Sequence, residues 1–266
     1  QPPSDTSSLV DLNGIPPFMV VDLERQASFF STGGLVAVHA GARNRSKVWD
    51  ALKRREVYGT SGDRILLWFD LINGPTGTAP MGSVLSLDQA PRFRVRAVGA
   101  FEPKPGCPDW IGATLPEDRL QRLCMGECYN PSDTRRTIER IDVIRIRRQM
   151  RNDEEIKTLI EDPWKSFPCN GSTAGCSADF SDPEFTNTGR EVVYYVRAVQ
   201  APTPTVNGRN LRCEDTPEGE RCAPCYSDWR TSAGDDCRGP ASERAWSSPI
   251  FLTPSAPATV PGADIE

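Results

Sequence analysis

Few side chains in this sequence have the chemistry for catalysis at neutral pH, and the scarcest is imidazole. His39 is the only histidine among 266 residues. It stands at the C-terminal end of a short apolar run, where α/β folds gather active-site groups. A lone histidine on such a run also serves as a hydrogen-bonded core residue, so both readings stay open. A Ser-His-Asp or Cys-His arrangement would need His39 as the base with a nucleophile folded against it, and nothing in the sequence marks that nucleophile. Asp179, Asp182 and Glu184, in SADFSDPEF, have the oxygens for a calcium site or for a solvated loop. Tyr194, Tyr195, Trp229 and Trp246 offer a platform for sugar rings, although sandwich cores use the same residues.

Nine cysteines are many for a cytosolic chain, and most fall in Pro/Gly/Asp-rich sequence, which points to disulfides and an oxidising compartment, periplasmic or secreted. Zinc is the competing reading, because Cys222-Ala-Pro-Cys225 and Cys124-Met-Gly-Glu-Cys128 have ribbon-like spacings. Three local pairs are expected, Cys169–Cys176, Cys213–Cys222 and Cys225–Cys237, since each closes a short loop worth about 2 to 3 kcal/mol through the unfolded state. Cys107 then pairs with Cys124 or Cys128.

The elements that must position these groups begin with Gly33 to Gly62. Leu35 to Ala40 form an apolar run expected to be a parallel strand buried on both faces. Asn44 is a good N-cap for an amphipathic helix carrying Val48, Ala51 and Leu52, with Lys53, Arg54 and Arg55 at its C-terminal end and a stop near Tyr58-Gly59. Thr60-Ser61-Gly62 is a turn, and beyond it the composition becomes all-β. Arg64 to Ile72 and the Pro80 to Val84 region suggest a long hairpin. Arg92 to Val98 alternates as a half-buried strand. Ile138 to Ile146 switches apolar phase between Val143 and Ile144, which fits a bulge or burial on both sides, and its Arg145, Arg147 and Arg148 could extend the arginine row of Arg92, Arg94 and Arg96. Thr114-Leu-Pro-Glu117 reads as a capping box. Glu191 to Gln200 is a central strand ended by Ala201-Pro-Thr-Pro, a wide cysteine-bearing loop follows to about Glu243, and Trp246 to Leu252 closes a sandwich.

The sequence also excludes some functions. A formal net charge of −5 gives no electrostatic footprint for nucleic acid, and no apolar run approaches a bilayer span. The start at Gln1, without the basic-then-apolar plan of a signal peptide, is read as a processed product or a piece of a longer chain.

The run LVAVHAG, then WDALKRREVYGTSG, FRVRAVGAFEPKPGCPDW, ECYNPSD, IEDPW, YYVRAVQAPTP and RAWSSPIF together resemble, from about Glu24 to Thr253, the C-terminal part of a large bacterial family. Its members look like metal-dependent hydrolases of the polymerase-and-histidinol-phosphatase (PHP) superfamily, and a group with the same order of helix, TSG turn and sandwich resembles the carbaryl hydrolases. The fold implied is α+β, mainly β: the terminal strand-helix unit of a PHP-like α/β barrel at 33–62, then an antiparallel β-sandwich with disulfide-stapled loops at 63–254. Residues 1–32 are an extended arm and 255–266 a tail. The family's His-x-His and late Ser-Asp-x-His signatures are absent, so no cofactor is expected in this chain; the divalent metal (Zn, Mn or Mg) belongs to an upstream barrel portion, its expected partner. The activity implied is hydrolysis of a phosphate ester or another small ester, with this chain silent by itself. His39 would at most orient a ligand or substrate, and Arg43, Arg45, Arg54 or Arg55 would face the barrel mouth. The alternative is a non-catalytic sandwich module that binds carbohydrate or protein.

Overall fold

A computed structural model describes residues 33–124, 128–206, 212–223 and 237–255. They divide between two compact units, the larger drawn from 34–201 and 242–255 and the smaller chiefly from 202–241.

In the larger unit, β1 (Leu35–Val38) leads to helix α1 (Arg45–Lys53), and β2 (Val57–Thr60) returns beside β1. The Asn44 side chain accepts the Lys47 N–H at 3.0 Å, as its N-cap role requires. The helix ends at Lys53 rather than near Tyr58, because Arg55 takes a left-handed φ of 59°. Val57 and Tyr58 are then free to form strand. Two expectations fail here. β1 and β2 pair antiparallel, so β1 is not parallel to the strand that follows its helix. Nor is β1 buried on both faces: Leu35 is 42% and Val36 72% exposed, since this edge strand pairs with β2 alone among the described residues.

The chain continues through β3 (Leu66–Gly74), β4 (Gly77–Pro80), β5 (Val84–Leu87), β6 (Arg92–Val98) and β7 (Phe101–Pro103), then short helices α2 (Asp109–Gly112) and α3 (Glu117–Cys124). After β8 (Pro131–Arg135) come β9 (Ile138–Arg147), α4 (Ile156–Leu159), β10 (Ile160–Pro168), β11 (Cys176–Ser181), α5 (Phe185–Thr188) and β12 (Val192–Gln200). The smaller unit contributes two ribbons, β13 (Thr203–Val206) with β16 (Arg238–Ala241), and β14 (Arg212–Thr216) with β15 (Gly219–Ala223). The stretch expected to be one wide loop therefore carries strands of its own. β17 (Arg244–Ser247) and β18 (Ile250–Pro254) return to the larger unit.

Its sheets form a sandwich. An eight-stranded sheet runs β1-β2-β17-β12-β18-β5, with β9 on β12 and β10 on β9, and a four-stranded sheet runs β11-β6-β3-β4. Pairing is antiparallel except between β18 and β5. Strand β6 alternates as its sequence does, with Phe93, Val95 and Ala97 fully buried and the arginines outside. β12 buries Val192, Tyr194, Val196 and Ala198 against them, and Phe69, Phe93 and Phe180 stack at 5.1–6.3 Å between centroids. β9 is buried continuously from Ile141 to Arg145, which accounts for the apolar phase switch. Thr114 does not make a capping box: its hydroxyl donates to Trp110 and Ile111 carbonyls, and Pro116 accepts the Leu120 N–H that starts α3.

Candidate functional site

The βα unit holds most of the residues singled out for chemistry. His39 follows β1; its backbone N–H donates to the Glu56 carbonyl at 2.9 Å and its Nε2 donates to the Leu67 carbonyl, also at 2.9 Å. Its ring leans on Tyr58 and Trp68, with centroids 5.4 and 6.0 Å away. The imidazole thus ties the start of α1's approach to β3. Asp70, on β3, has its carboxyl raised by burial, a rise that His39 and Arg94 oppose.

The four arginines of this region do not converge. Arg43 and Arg45 lie exposed around the N-cap. Arg54 grips Glu56 at 2.7 and 3.1 Å. Arg55 points elsewhere: its Nε donates to the Gly82 carbonyl at 3.0 Å and its guanidinium lies 5.8 Å from the centre of the Phe251 ring. Gly82 permits this, since with a φ of 88° a Cβ there would sit 2.5 Å from the Arg54 and Arg55 carbonyl oxygens.

Beside β1 opens a cleft of about 330 Å³ lined by Leu35, Val36, Tyr58, Thr60, Arg64 and Ile65. Tyr58 donates to the Ile65 carbonyl at 3.0 Å, and burial raises its phenol pKa. Thr60 is 5% exposed and its hydroxyl has no hydrogen-bond partner among the described residues. On α1, Trp49 and Leu52, one turn apart and so on one face, are 57% and 42% exposed. The cleft and the helix present an apolar surface.

The turn after β2 is a clamp. Ser61 donates to Glu243 and accepts the Arg244 N–H, while Asp63 accepts from Arg136 and from Gln200. Gln200 also accepts the Ala100 N–H at 2.9 Å. A second network is centred on Arg145, which is 4% exposed by side chain. Its guanidinium donates to Asp182 at 2.9 Å, Glu184 at 3.0 Å and both Glu161 oxygens at 2.6 and 3.0 Å. Tyr194 donates to Asp182 at 2.6 Å and Trp164 covers the guanidinium at 4.4 Å. Burial works against the Arg145 cation, but its carboxylates more than offset that and raise its pKa; burial, then the Asp182 hydrogen bond, raises the Tyr194 phenol.

A family model described as "Protein of unknown function (DUF3604)" matches residues 16–254. The chain belongs to this family. No curated protein matches it. The DUF3604 match takes in every strand from β1 to β18, including the βα unit, the Ser61–Asp63 clamp and the Arg145 network.

In this DUF3604 chain the candidate calcium ligands have other partners. Asp182 and Glu184 hold Arg145, and Asp179 makes a bidentate pair with Arg94 at 2.9 and 2.7 Å. Arg145 is interior, so it does not extend the β6 arginine row, which lies on the other sheet. Tyr194 is fully buried, and Trp229 lies outside the described residues. Cys107 bonds Cys128 and Cys169 bonds Cys176, with Cα separations of 4.8 and 5.7 Å. The second closes the crossing from β10 in one sheet to β11 in the other. Cys213 and Cys222 are register partners across the β14–β15 ribbon, their side chains outside the described residues. Cys237 is disulfide-bonded, and Cys225 lies outside the described residues. Sequence reasoning missed the Arg145 centre, although an arginine inside a doubly buried stretch was its signal.

Proposed function

We propose that this chain is the C-terminal, non-catalytic portion of an exported PHP-like metal-dependent hydrolase of a small ester, and that its βα unit seats the upstream metal-binding barrel of the same precursor. The observation that carries this reading is the surface of residues 35–60 left exposed among the described residues. Leu35, Val36, Trp49 and Leu52 are all exposed there, beside a cleft with a buried Thr60 hydroxyl that has no partner among the described residues. Exposed apolar clusters mark interaction sites, and these side chains lie on the unit that resembles the terminal piece of a barrel.

The donors of the described residues do not fit a hydrolytic metal centre. Such a centre takes imidazoles and carboxylates about 2.0 to 2.2 Å from the ion with an open position for water. Among the described residues no three His, Cys, Asp or Glu side chains group in that way, and His39 Nε2 is bonded to a carbonyl. No step of hydrolysis is assigned to this chain. The Cys107–Cys128 and Cys169–Cys176 disulfides support export. The burial of Tyr194 weighs against the carbohydrate-platform alternative.

The test has two arms. Purified residues 1–266, supplied with Zn²⁺, Mn²⁺ or Mg²⁺, should neither hydrolyse a chromogenic phosphate ester nor hold stoichiometric metal. Added to the separately expressed upstream portion, the chain should form a complex by sedimentation that Val36→Asp with Trp49→Ser weakens at least tenfold. Turnover by the chain alone that His39→Ala abolishes, or a complex indifferent to those substitutions, would overturn the proposal.

A further inference from the structure

A second surface lies on the outer face of the large sheet. Ile146 on β9 is opposite Val193 on β12, Val193 is opposite Phe251 on β18, and Phe251 is opposite Val84 on β5. Four apolar side chains therefore stand in one row across four adjacent strands, on the face opposite Val192, Tyr194, Ile250 and Leu252 of the core. At about 4.8 Å per strand the row is roughly 14 Å long. It floors a groove of about 500 Å³, within the range of about 300 to 1,000 Å³ used by small-ligand sites.

The charges around this groove are unequal. At the β9 and β12 end Arg148 is neutralised by Glu191, 3.0 Å away. At the β18 and β5 end stands Arg55, held by the Gly82 carbonyl and the Phe251 ring, with no carboxylate partner among the described residues. A linear apolar floor with one uncompensated guanidinium at its end is complementary to a linear amphiphile with an anionic head. We propose that this groove binds a medium-chain alkyl carboxylate, its chain along Ile146, Val193, Phe251 and Val84 and its head on Arg55. This site is separate from the β1 cleft and does not rest on the proposed function.

Decanoate is the probe, with decanol as the uncharged control, titrated into the full chain by calorimetry and followed by methyl NMR shifts. Decanoate should bind in the sub-millimolar range and shift Val84, Val193 and Ile146 methyls, with decanol about tenfold weaker, the worth of one charge-assisted contact. Arg55→Gln should remove that tenfold preference, whereas Arg55→Lys retains most of it. Val84→Asp, at a position 60% exposed and so tolerant of change, should weaken both ligands without lowering the melting temperature. No saturable binding to the folded chain, shifts confined to other methyls, or a preference that survives Arg55→Gln would refute the site.

Discussion

Arg145→Met should be among the most damaging single substitutions in the sandwich. Methionine keeps much of the aliphatic volume under Trp164, so the loss is chiefly electrostatic. Glu161 and Glu184 are 28% and 65% exposed by side chain and can turn to water, but Asp182 is 1% exposed and cannot. Among the described residues it would keep the Tyr194 hydroxyl and the Glu184 N–H at 3.0 Å. Removing one partner of a buried pair costs about 3 to 5 kcal/mol, and the lost contact with the Trp164 ring adds about 0.5 to 2 kcal/mol. Urea unfolding followed by tryptophan fluorescence measures this. Asp182→Asn added to Arg145→Met should restore about 1 to 3 kcal/mol, because a neutral amide no longer needs the cation. A single-variant loss under about 1 kcal/mol, or a double variant no better than the single, would show that Asp182 is not carried by Arg145.

Glu154 is held down at a pKa of about 2, first by the Met150 N–H and then by Arg190. Its contribution is present above the unfolded value near 4.3 and lost as pH falls towards 2, so Glu154→Gln should flatten the urea-midpoint profile across that window. Asp63→Ala strips Arg136 and Gln200 of their shared acceptor. It should cost about 1.5 to 3 kcal/mol by the same measurement, with a smaller effect from Ser61→Ala, whose partner Glu243 is engaged elsewhere as well.

Strand existence was legible in β6 and β12, where burial follows the sequence alternation, but not in β11, whose SADFS reads as loop. The alternation in Arg92 to Val98 and in Val192 to Gln200 carries its own burial pattern, and Asn44 announces α1 through a side chain that reaches only three residues. Direction was not legible. A strand, a helix and a strand in succession read as a parallel unit, yet the intervening helix is equally able to return the chain antiparallel, and the outcome depends on β17, which lies almost two hundred residues away and takes β2 as its neighbour. The arginines of β9 misled for a related reason: local sequence fixes which side a residue faces, whereas the acids that make an inward arginine tolerable come from β10 and the segment after β11. His39 was ambiguous because its deciding contact is with a backbone carbonyl, a group that every sequence supplies and none advertises.

The Thr60–Asp63 turn draws these points together. Ser61 and Asp63 have the side chains of a reactive site, and both are consumed in holding the turn to Glu243, Arg136 and Gln200. Thr60, one residue before Ser61, is more buried than either, and its hydroxyl has no hydrogen-bond partner among the described residues. A buried hydroxyl without a partner costs about 1 to 3 kcal/mol, and a well-satisfied clamp on one side makes relaxation of the strand to relieve it expensive. The cheaper relief is a covering group from outside, which would also take Leu35 and Val36 from water at about 25 cal/mol per Å². If the upstream portion supplies that group, Thr60→Val should be neutral or stabilising in the chain alone and should weaken the complex. Hydrogen exchange at the β1 amides, slowed only when the upstream portion is present and less so in Thr60→Val, would locate the contact, and equal exchange in all three samples would place it elsewhere.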